Sequence, residues 1–450
     1  MKNKFILTGD ERSVKIKKNM IMATIFKIAT VLLGFMIVKV TFNSLNEEKF
    51  GVWVTILSIL TWISMFDVGL GNGLRNKLSE ALSKEDYKKG KIYVSTAYAL
   101  IGILVILMII VSVVLIEALN LPYIFNVGEN LGRELKYSLL WIVIVYLVNF
   151  LLSLINSIAF AFQDSAVPEA IRFFTNLLIF IAFYVVSKTA QGSLFIIGLL
   201  YSLITLLVTL IFSLFLFSKK YKSVIPNVKN LEKKYVKSLF SLSMGFFIIQ
   251  LAGIIIFASS NMVITRVLGP KEVTPYQLVY KLFNTFTIAS GLVVAPLWSG
   301  FTDAYHKKDV VWIKSTMKKL LVLMLPLILG VIVMIVLCRP IIRLWIGKDV
   351  GASTLLIILM GVNAIQVSWN SIFTVFVNGV GKLNWNLYTS VIGGIINIPL
   401  SIYFAKNLGL GISGVILGTI VSLALGSIAL PLQSYAIIKK ELSSTAVKKS

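Results

Sequence analysis

The chain has 450 residues, of which 57% are hydrophobic and only 14% are charged, and its mean hydropathy is +0.90. A soluble chain of this length has about 25% charged residues, so the composition excludes an ordinary soluble protein. Long apolar blocks recur along the chain, each close to the ~20 residues that cross the hydrocarbon core of a bilayer. Because the ~10-residue alternating segments of a membrane β-barrel are missing, the sequence predicts an all-α polytopic membrane protein.

The formal net charge is +24, from 43 Lys and Arg against 19 Asp and Glu. In a soluble protein such a balance would suggest nucleic acid as a partner. Here most basic residues lie in short loops between apolar blocks, so we expect them to set the membrane orientation and expect no nucleic acid. The single Cys338 and the single His306 exclude an internal disulfide and a zinc cluster. No Walker A sequence is present, and no nucleophile–His arrangement can be assembled with a single His, so we predict neither ATP hydrolysis, nor another enzymatic activity, nor a cofactor.

Twelve membrane spans can be drawn, with short loops between them. The first eighteen residues are polar and basic, and no small-residue cleavage pattern follows, so we interpret residues 20–42 as an uncleaved first span. The predicted spans are 20–42, 51–73, 93–117, 138–160, 170–187, 193–217, 238–265, 276–300, 318–338, 353–377, 387–405 and 411–438.

The basic residues are distributed unevenly between alternate loops. If both termini are cytoplasmic, 29 of the 43 Lys and Arg lie in cytoplasmic segments and ten lie in the opposite loops. Cytoplasmic loops of membrane proteins carry such an excess of Lys and Arg. The sequence therefore predicts a multi-pass protein with both termini in the cytoplasm.

The span pattern is repeated in the two halves of the chain. A basic stretch precedes span 1 and another precedes span 7, and each is followed by two spans and a charged inner loop. Six plus six spans in the same orientation indicate parallel repeats about an axis along the membrane normal. We therefore predict two six-helix lobes around a central cavity, with residues 1–218 and 238–450 as lobes and 219–237 as a basic cytoplasmic linker.

Two lysines lie inside predicted spans, where a charge is costly and usually faces a bundle interior or a water-filled cavity. Lys27 lies ~10 Å from the inner end of span 1, and Lys281 lies ~8 Å from the outer end of span 8. Gln277 and Asn284 share the helical face of Lys281. We interpret the two lysines as substrate contacts, while the alternative is that each side chain reaches its nearer membrane surface. For Lys39 and Arg172 we favour that second interpretation.

Further polar residues follow helical spacing in other spans. In span 7, Gln250 and Asn261 lie close to one face with Ser243, and we add both to the predicted substrate site. Spans 4 and 10 carry similar stripes, for which hydrogen bonding between helices is an equally good explanation. Their members are Asn149, Ser153 and Asn156 in span 4, and Asn363, Gln366, Asn370 and Thr374 in span 10.

Acidic residues are almost absent from the span interiors, and Asp67 at the inner end of span 2 is the main exception. Arg75, two turns later, is its predicted partner, and we interpret the pair as a gate or coupling element. Gly69, Gly71 and Gly73 between them predict a sharp turn at the end of the span. A cationic, amide-rich cavity attracts an anion with many hydroxyl groups and repels organic cations.

Four stretches of the sequence resemble bacterial polysaccharide repeat-unit flippases of the O-antigen (Wzx) type, in the superfamily of multidrug, oligosaccharidyl-lipid and polysaccharide exporters. The similarity is strongest in residues 11–91 and extends to the whole chain in span number and halves. The stretches are Glu11–Asn19, Gly51–Thr55, Trp62–Lys77 and Ile342–Gly347.

The resemblance implies a transporter of the bacterial inner membrane that moves an undecaprenyl-pyrophosphate-linked oligosaccharide from the cytoplasmic to the periplasmic leaflet by alternating access. Membrane lipids, a polysaccharide polymerase and a chain-length regulator are the further partners that it suggests. Coupling to a proton or a sodium gradient stays open, as does the sugar. The alternatives are a lipid II flippase and a cation-drug antiporter of the same superfamily.

Overall fold

The structure is a computed structural model that describes residues 11–63, 70–189, 192–232 and 259–447 apart from 295–296, together with Leu251, Gly253 and Ile256. All regular elements in these ranges are helical. The chain divides into two compact units, Met1–Phe247 and Ile248–Ser450. The exact borders of the predicted lobes and linker stay a prediction.

The first unit contains nine described α-helices. They are α1 (Glu11–Ser44), α2 (Glu47–Ile63), α3 (Leu70–Ser83), α4 (Tyr87–Ala118), α5 (Leu121–Phe125), α6 (Glu129–Leu152), α7 (Leu154–Ala161), α8 (Ala166–Thr189) and α9 (Leu194–Ser218). Short 3-10 turns at Lys222–Val224 and Val228–Asn230 follow α9.

The second unit contains seven described α-helices. They are α10 (Ser260–Leu268), α11 (Val273–Val294), α12 (Leu297–His306), α13 (Val310–Ile346), α14 (Thr354–Gly379), α15 (Asn384–Ile402) and α16 (Gly411–Val447). A 3-10 turn at Pro270–Glu272 precedes α11, and a π-helical turn at Tyr403–Asn407 extends α15.

Nine helical segments in the described part of the chain are long and apolar enough to cross a membrane, and they correspond to predicted spans 1, 3–6 and 9–12. Predicted span 2 runs through residues 64–69, and predicted span 7 through residues 238–250, all outside the described residues. Predicted span 8 coincides with the 22-residue α11, which carries the polar stripe around Lys281. The helical, multi-pass class is therefore confirmed, and the number of twelve stays a prediction.

The predicted sharp turn at the glycines is wrong for two of the three positions. Gly71 and Gly73 lie in the first turn of α3, and Gly69 lies outside the described residues. Since glycine tolerates both helical and left-handed backbone angles, its presence alone does not distinguish a turn from a helix start.

Side-chain caps fix the starts of three long helices. Asp86, Asp309 and Ser353 each accept a hydrogen bond, at 2.9 to 3.1 Å, from the backbone N–H three residues further on. Such caps satisfy donors that a helix start leaves open. The three caps mark where α4, α13 and α14 begin. In α4 and α13 the helix begins several residues before its apolar part.

Small residues allow close helix packing in the second unit. A Cβ on Gly418 in α16 would lie 2.7 Å from the Cα of Ser401 in α15, so this contact requires glycine. The Ser401 hydroxyl donates to the carbonyl of Val415 at 3.2 Å. Small residues and interhelical hydrogen bonds are the usual means of helix association in membranes, where hydrophobic burial contributes little.

The segment after α9, which begins the predicted linker, packs on the first unit. Tyr221 and Val224 are fully buried, and the backbone N–H of Asn227 donates to the Ser95 hydroxyl in α4 at 3.0 Å. Residues 219–230 therefore pack as part of the first unit, and the role of residues 219–237 as a cytoplasmic linker stays a prediction.

Candidate functional site

Lys27 lies on α1, where this helix packs along α8 in the same chain direction. Phe26 contacts Phe173 and Phe174, with ring centroids 5.4 and 6.4 Å apart. Lys27 itself is half-buried, and no acidic side chain in the described part of the chain pairs with its ammonium group. A cation without an acidic partner is costly in a membrane span, so this position suits an anionic ligand.

Lys281 lies on α11 together with two of the amides that the sequence analysis placed beside it. Because α11 is continuous from Val273 to Val294, Gln277, Lys281 and Asn284 share one helical face. All three side chains are half-buried. The face combines one cation with two neutral hydrogen-bonding groups, which fits a phosphate linked to hydroxyl groups.

The other two predicted members of the substrate site, Asn261 and Gln250, belong to predicted span 7, which the structure describes only in part. Asn261 is the second residue of α10, a helix of nine residues, and its side chain is half-buried. Gln250 lies outside the described residues, as does Ser243. The predicted polar face of span 7 therefore stays a prediction.

The predicted gate pair is described at only one of its members. Asp67 lies outside the described residues. The exposed Arg75 in α3 lies over the Phe160 ring of α7, with its guanidinium carbon 4.9 Å from the ring centroid. The Ser79 hydroxyl, one turn later, donates to the carbonyl of Ala161 at 3.3 Å. Arg75 thus helps to attach α3 to α7.

A cavity of about 210 Å³ lies between α11 and α14 in the second unit. Asn284, from the Lys281 face, contributes to it, and Asn363 of the predicted span-10 stripe lies opposite. Asn363 is 6% exposed, and its amide nitrogen has no hydrogen-bond partner among the described residues. The lining residues are Tyr280, Phe283, Asn284, Thr287, Met360, Asn363, Ala364 and Val367.

Two other members of the predicted span-10 stripe, which lies on α14, form hydrogen bonds to a neighbouring helix. The Gln366 amide donates to the carbonyl of Ile420 at 3.0 Å and to the Ser427 hydroxyl at 3.1 Å, both on α16. The Asn370 amide donates to the Leu423 carbonyl at 3.5 Å. Interhelical hydrogen bonding therefore accounts for the amide nitrogens of Gln366 and Asn370, although their amide oxygens, like the Asn363 nitrogen, have no partner among the described residues.

Lys39 and Lys188 line a second cavity, of about 340 Å³, at the C-terminal ends of α1 and α8. Both side chains are exposed, and the Lys188 ammonium lies 5.8 Å from the centroid of the Tyr184 ring. Exposure of Lys39 agrees with the interpretation that it reaches a membrane surface.

Sequence reasoning missed Asp164, a carboxylate that is 1% exposed in the loop between α7 and α8. Its Oδ2 accepts from the Tyr221 hydroxyl at 3.0 Å and pairs with the Lys220 ammonium at 2.6 Å. The Asn19 amide, on α1, donates to its Oδ1 at 3.4 Å. No sequence signal indicates this cluster, because its members lie in three separate polar segments.

Acidic residues avoid the middle of the nine candidate spans in the described part of the chain. Glu117, Glu129, Glu134 and Glu169 are the ones within these segments, and each lies within two turns of a helix end. The polar groups at depth are therefore neutral or cationic, which favours an anionic or neutral ligand over an organic cation.

Comparison with known sequences identifies relatives along most of the chain. The family described as polysaccharide biosynthesis protein matches residues 16–299. A Salmonella typhimurium protein with the provisional name O-antigen transporter is 24% identical over 395 residues, which are 85% of this chain and 87% of that protein. A Yersinia pseudotuberculosis protein, provisionally named O-antigen export protein, is 22% identical over 79% of this chain and 82% of its own.

Solved structures with the same fold are transporters. An inward-facing multidrug resistance transporter of the MATE family and MOP superfamily has a TM-score of 0.79 at 14% identity, covering 91% of this chain and 96% of its own. A MOP superfamily transporter from Pyrococcus furiosus has a TM-score of 0.65 at 16% identity, covering 97% and 99%. At such identities the likeness shows the fold alone, which is that of the MATE transporters. Because the family match covers well over half of its residues, the chain belongs to the family of polysaccharide biosynthesis proteins.

Proposed function

We propose that this protein is a flippase that moves an undecaprenyl-pyrophosphate-linked oligosaccharide repeat unit from the cytoplasmic to the periplasmic leaflet of the bacterial inner membrane. Membership of the polysaccharide biosynthesis family supports the substrate class. The names of the Salmonella and Yersinia relatives support export of such a polysaccharide. The fold of the MATE transporters supports transport as the activity.

The observation that carries the proposal is Lys27, a half-buried cation in a membrane-spanning helix with no acidic partner in the described part of the chain. A lysine at the centre of a membrane span costs about 2.5–3.5 kcal/mol, which is an upper bound for Lys27 at ~10 Å from the inner end of its predicted span. A pyrophosphate would supply the missing counter-charge while it is bound. Lys281 offers a second cation, and Gln277 and Asn284 offer donors and acceptors for sugar hydroxyls beside it.

Lys27 belongs to the first unit and Lys281 to the second. In an alternating-access cycle, a lysine predicted nearer the cytoplasm (Lys27) and one predicted nearer the periplasm (Lys281) would offer the pyrophosphate a cationic partner in the inward-open and in the outward-open state. Asp67 and Arg75 would then serve the inner gate or the coupling to a proton or sodium gradient. A polymerase and a chain-length regulator are the partners that would receive the exported repeat unit.

Antiport of cationic drugs is the competing activity, since several transporters of this fold are described as multidrug transporters. A cation carrier needs acidic groups at depth, and the described spans hold their acids near the helix ends. A lipid II flippase would use the same lipid pyrophosphate, so only the sugar distinguishes it from our proposal.

Deletion of the gene in its own bacterium tests the proposed function. We expect loss of surface polysaccharide and accumulation of undecaprenyl-pyrophosphate-linked repeat units that an enzyme added outside cannot reach. Re-expression should reverse both changes. Normal surface polysaccharide together with increased sensitivity to cationic drugs would contradict the proposal, and arrested peptidoglycan synthesis would identify lipid II as the cargo.

A further inference from the structure

The cavity between α11 and α14 contains four polar side chains with free hydrogen-bonding capacity. Tyr280, Asn284 and Thr287 lie on one side and Asn363 on the other. Within the residues that the structure describes, none of the four forms a hydrogen bond with another protein group. Asn363 is 6% exposed, and its amide nitrogen is buried without a partner. Because buried polar groups in proteins are normally satisfied, this nitrogen indicates a ligand, which the three half-buried groups opposite could also bind.

Thr287 differs in its hydrogen bonding from two other helical threonines of this unit. Thr285 donates to the carbonyl of Leu282 at 2.6 Å, and Thr389 donates to that of Trp385 at 2.9 Å. Back-bonding of this kind is the ordinary way in which a helical threonine satisfies its hydroxyl. The Thr287 hydroxyl lacks such a bond and lines the cavity instead, where it can donate to a bound group.

The cavity has room for a group much larger than one ordered water. Its volume of about 210 Å³ is more than ten times the roughly 10–15 Å³ that one ordered water requires.

The lining of the first cavity defines the chemistry of what it can hold. None of its lining residues is charged, so the cavity has no counter-charge for an ion. Two amides, a threonine hydroxyl and a tyrosine hydroxyl supply both donors and acceptors. Apolar walls from Phe283, Met360 and Val367 complete it. Hydroxyl groups around an apolar ring face are the chemical character of a sugar.

We propose that this cavity binds one uncharged sugar ring of the transported oligosaccharide. The inference rests on the proposed function, and it assigns a specific part of the substrate to the second unit. Asn284 connects the two parts of the site, because it follows Lys281 by three residues and Tyr280 by four on the same helix. The pyrophosphate would bind at the Lys281 face and a sugar would bind in the adjacent cavity.

The test is a binding experiment with two probes and purified protein in lipid nanodiscs. The first probe is undecaprenyl pyrophosphate without sugar. The second is the same lipid carrying the repeat unit, extracted from the bacterium that makes this protein. The variants are Asn363→Leu and Thr287→Val, and Asn149→Leu is the matched control because Asn149 is also buried, with an unpartnered amide oxygen, in the first unit.

We expect Asn363→Leu and Thr287→Val to weaken binding of the sugar-bearing lipid about tenfold, with binding of the bare lipid unchanged. Asn149→Leu should leave both affinities unchanged. The melting temperature of Asn363→Leu should stay the same or rise, because an unsatisfied buried amide is replaced by an apolar group of similar shape.

Two results would overturn the inference in different ways. If the wild type binds both lipids but the variants bind the sugar-bearing lipid normally, no sugar ring occupies the cavity and the proposed function stands. If the wild type binds neither lipid, the proposed function fails and the inference fails with it.

Discussion

The Tyr221 hydroxyl donates a hydrogen bond to the Asp164 carboxylate at 3.0 Å, and this contact joins the segment after α9 to the loop before α8. Both residues are almost completely buried. Lys220 and Asn19 contact the same carboxylate. The cluster therefore holds the start of α1 and the segment after α9 together within the first unit.

Removal of the Tyr221 hydroxyl should destabilise the first unit. Tyr221→Phe leaves one carboxylate oxygen of Asp164 with fewer partners, which costs about 1–3 kcal/mol. Thermal unfolding in detergent measures the loss. Tyr98→Phe is the control, because the buried Tyr98 hydroxyl has no hydrogen-bond partner among the described residues and its removal should be neutral. Equal melting temperatures for both variants would contradict the assigned role of Tyr221.

The Tyr221 contact should also be insensitive to pH over the usual range. Burial, together with the negative charge of Asp164, raises the pKa of Tyr221 above its ordinary value, which is about 10. Because the pKa of Tyr221 is higher in the folded protein, its hydrogen bond stabilises the fold fully at a pH below the pKa of the unfolded chain. This stabilisation is lost only as the pH rises through the pKa of Tyr221 in the folded protein. The difference between wild type and Tyr221→Phe should therefore be the same at pH 6 and at pH 9.

Arg75 and Phe160 should be energetically coupled. A cation over an aromatic face contributes about 0.5–1 kcal/mol at an exposed site, so Arg75→Gln and Phe160→Leu should each lower the stability slightly. The double variant should lose less stability than the sum of the losses of the two single variants. Thermal unfolding of the four proteins in a double-mutant cycle checks this, and strictly additive losses would show that the contact is not formed.

Asp349 should stabilise the loop after α13 through Arg343. Its Oδ2 accepts from the two guanidinium nitrogens at 2.6 and 3.2 Å, and the Arg343 hydrogen bond, with that of the Gly351 N–H, lowers the pKa of Asp349. Because the pKa of Asp349 is lower in the folded protein, the ion pair stabilises the fold fully at a pH above the pKa of the unfolded chain, which is about 3.9. This stabilisation is lost as the pH falls through the pKa of the folded protein. Asp349→Asn should therefore melt slightly below wild type at pH 7.

Salt provides the control for the Asp349 prediction. Both side chains are exposed, and the screening length falls to about 3 Å in 1 M salt. The difference between wild type and Asp349→Asn should then disappear. A difference that persists in high salt would indicate that Asp349 acts through its hydrogen bond to the Gly351 backbone and not through the ion pair.

The predicted topology can be tested by labelling introduced cysteines from outside intact cells. Replacements of Lys188, Lys271 and Lys406 should react, whereas those of Lys84 and Lys229 should not. The native Cys338 is fully buried, so we expect little background reaction from it. Labelling at Lys229 would show that the segment after α9 faces the outside and would reverse the predicted orientation.

The sequence predicted the helical, multi-pass class because apolar length alone determines whether a segment can cross a membrane. The stripe of Gln277, Lys281 and Asn284 was predictable for a similar reason, since helical spacing places them on one face. Thr287 and Tyr280 were not, because both residues are common in apolar helices. Only their position opposite Asn363, on a helix some eighty residues away, gives them significance.

Asp164 shows the other limit of sequence reasoning. A single acid in a short polar loop predicts a solvated side chain, yet this one is buried by partners from distant parts of the chain. Contacts with distant parts of the chain also explain why Gly71 and Gly73 lie in a helix and not in the predicted turn. Local composition allowed both a turn and a helix, and packing against α4 and α7 selected the helix.

Transfer of the lipid-linked repeat unit between leaflets of proteoliposomes tests the central claim most directly. The proteins to compare are the wild type, the Lys27→Ala, Lys281→Ala double variant and Lys39→Ala, an exposed lysine of the same helix as Lys27. We predict rapid transfer by the wild type and by Lys39→Ala, and loss of transfer by the double variant with its melting temperature retained. Lys→Arg at either position should keep part of the activity, because the charge persists while its geometry changes. Normal transfer by the double variant would contradict the account, since it would show that both lysines only reach the membrane surface.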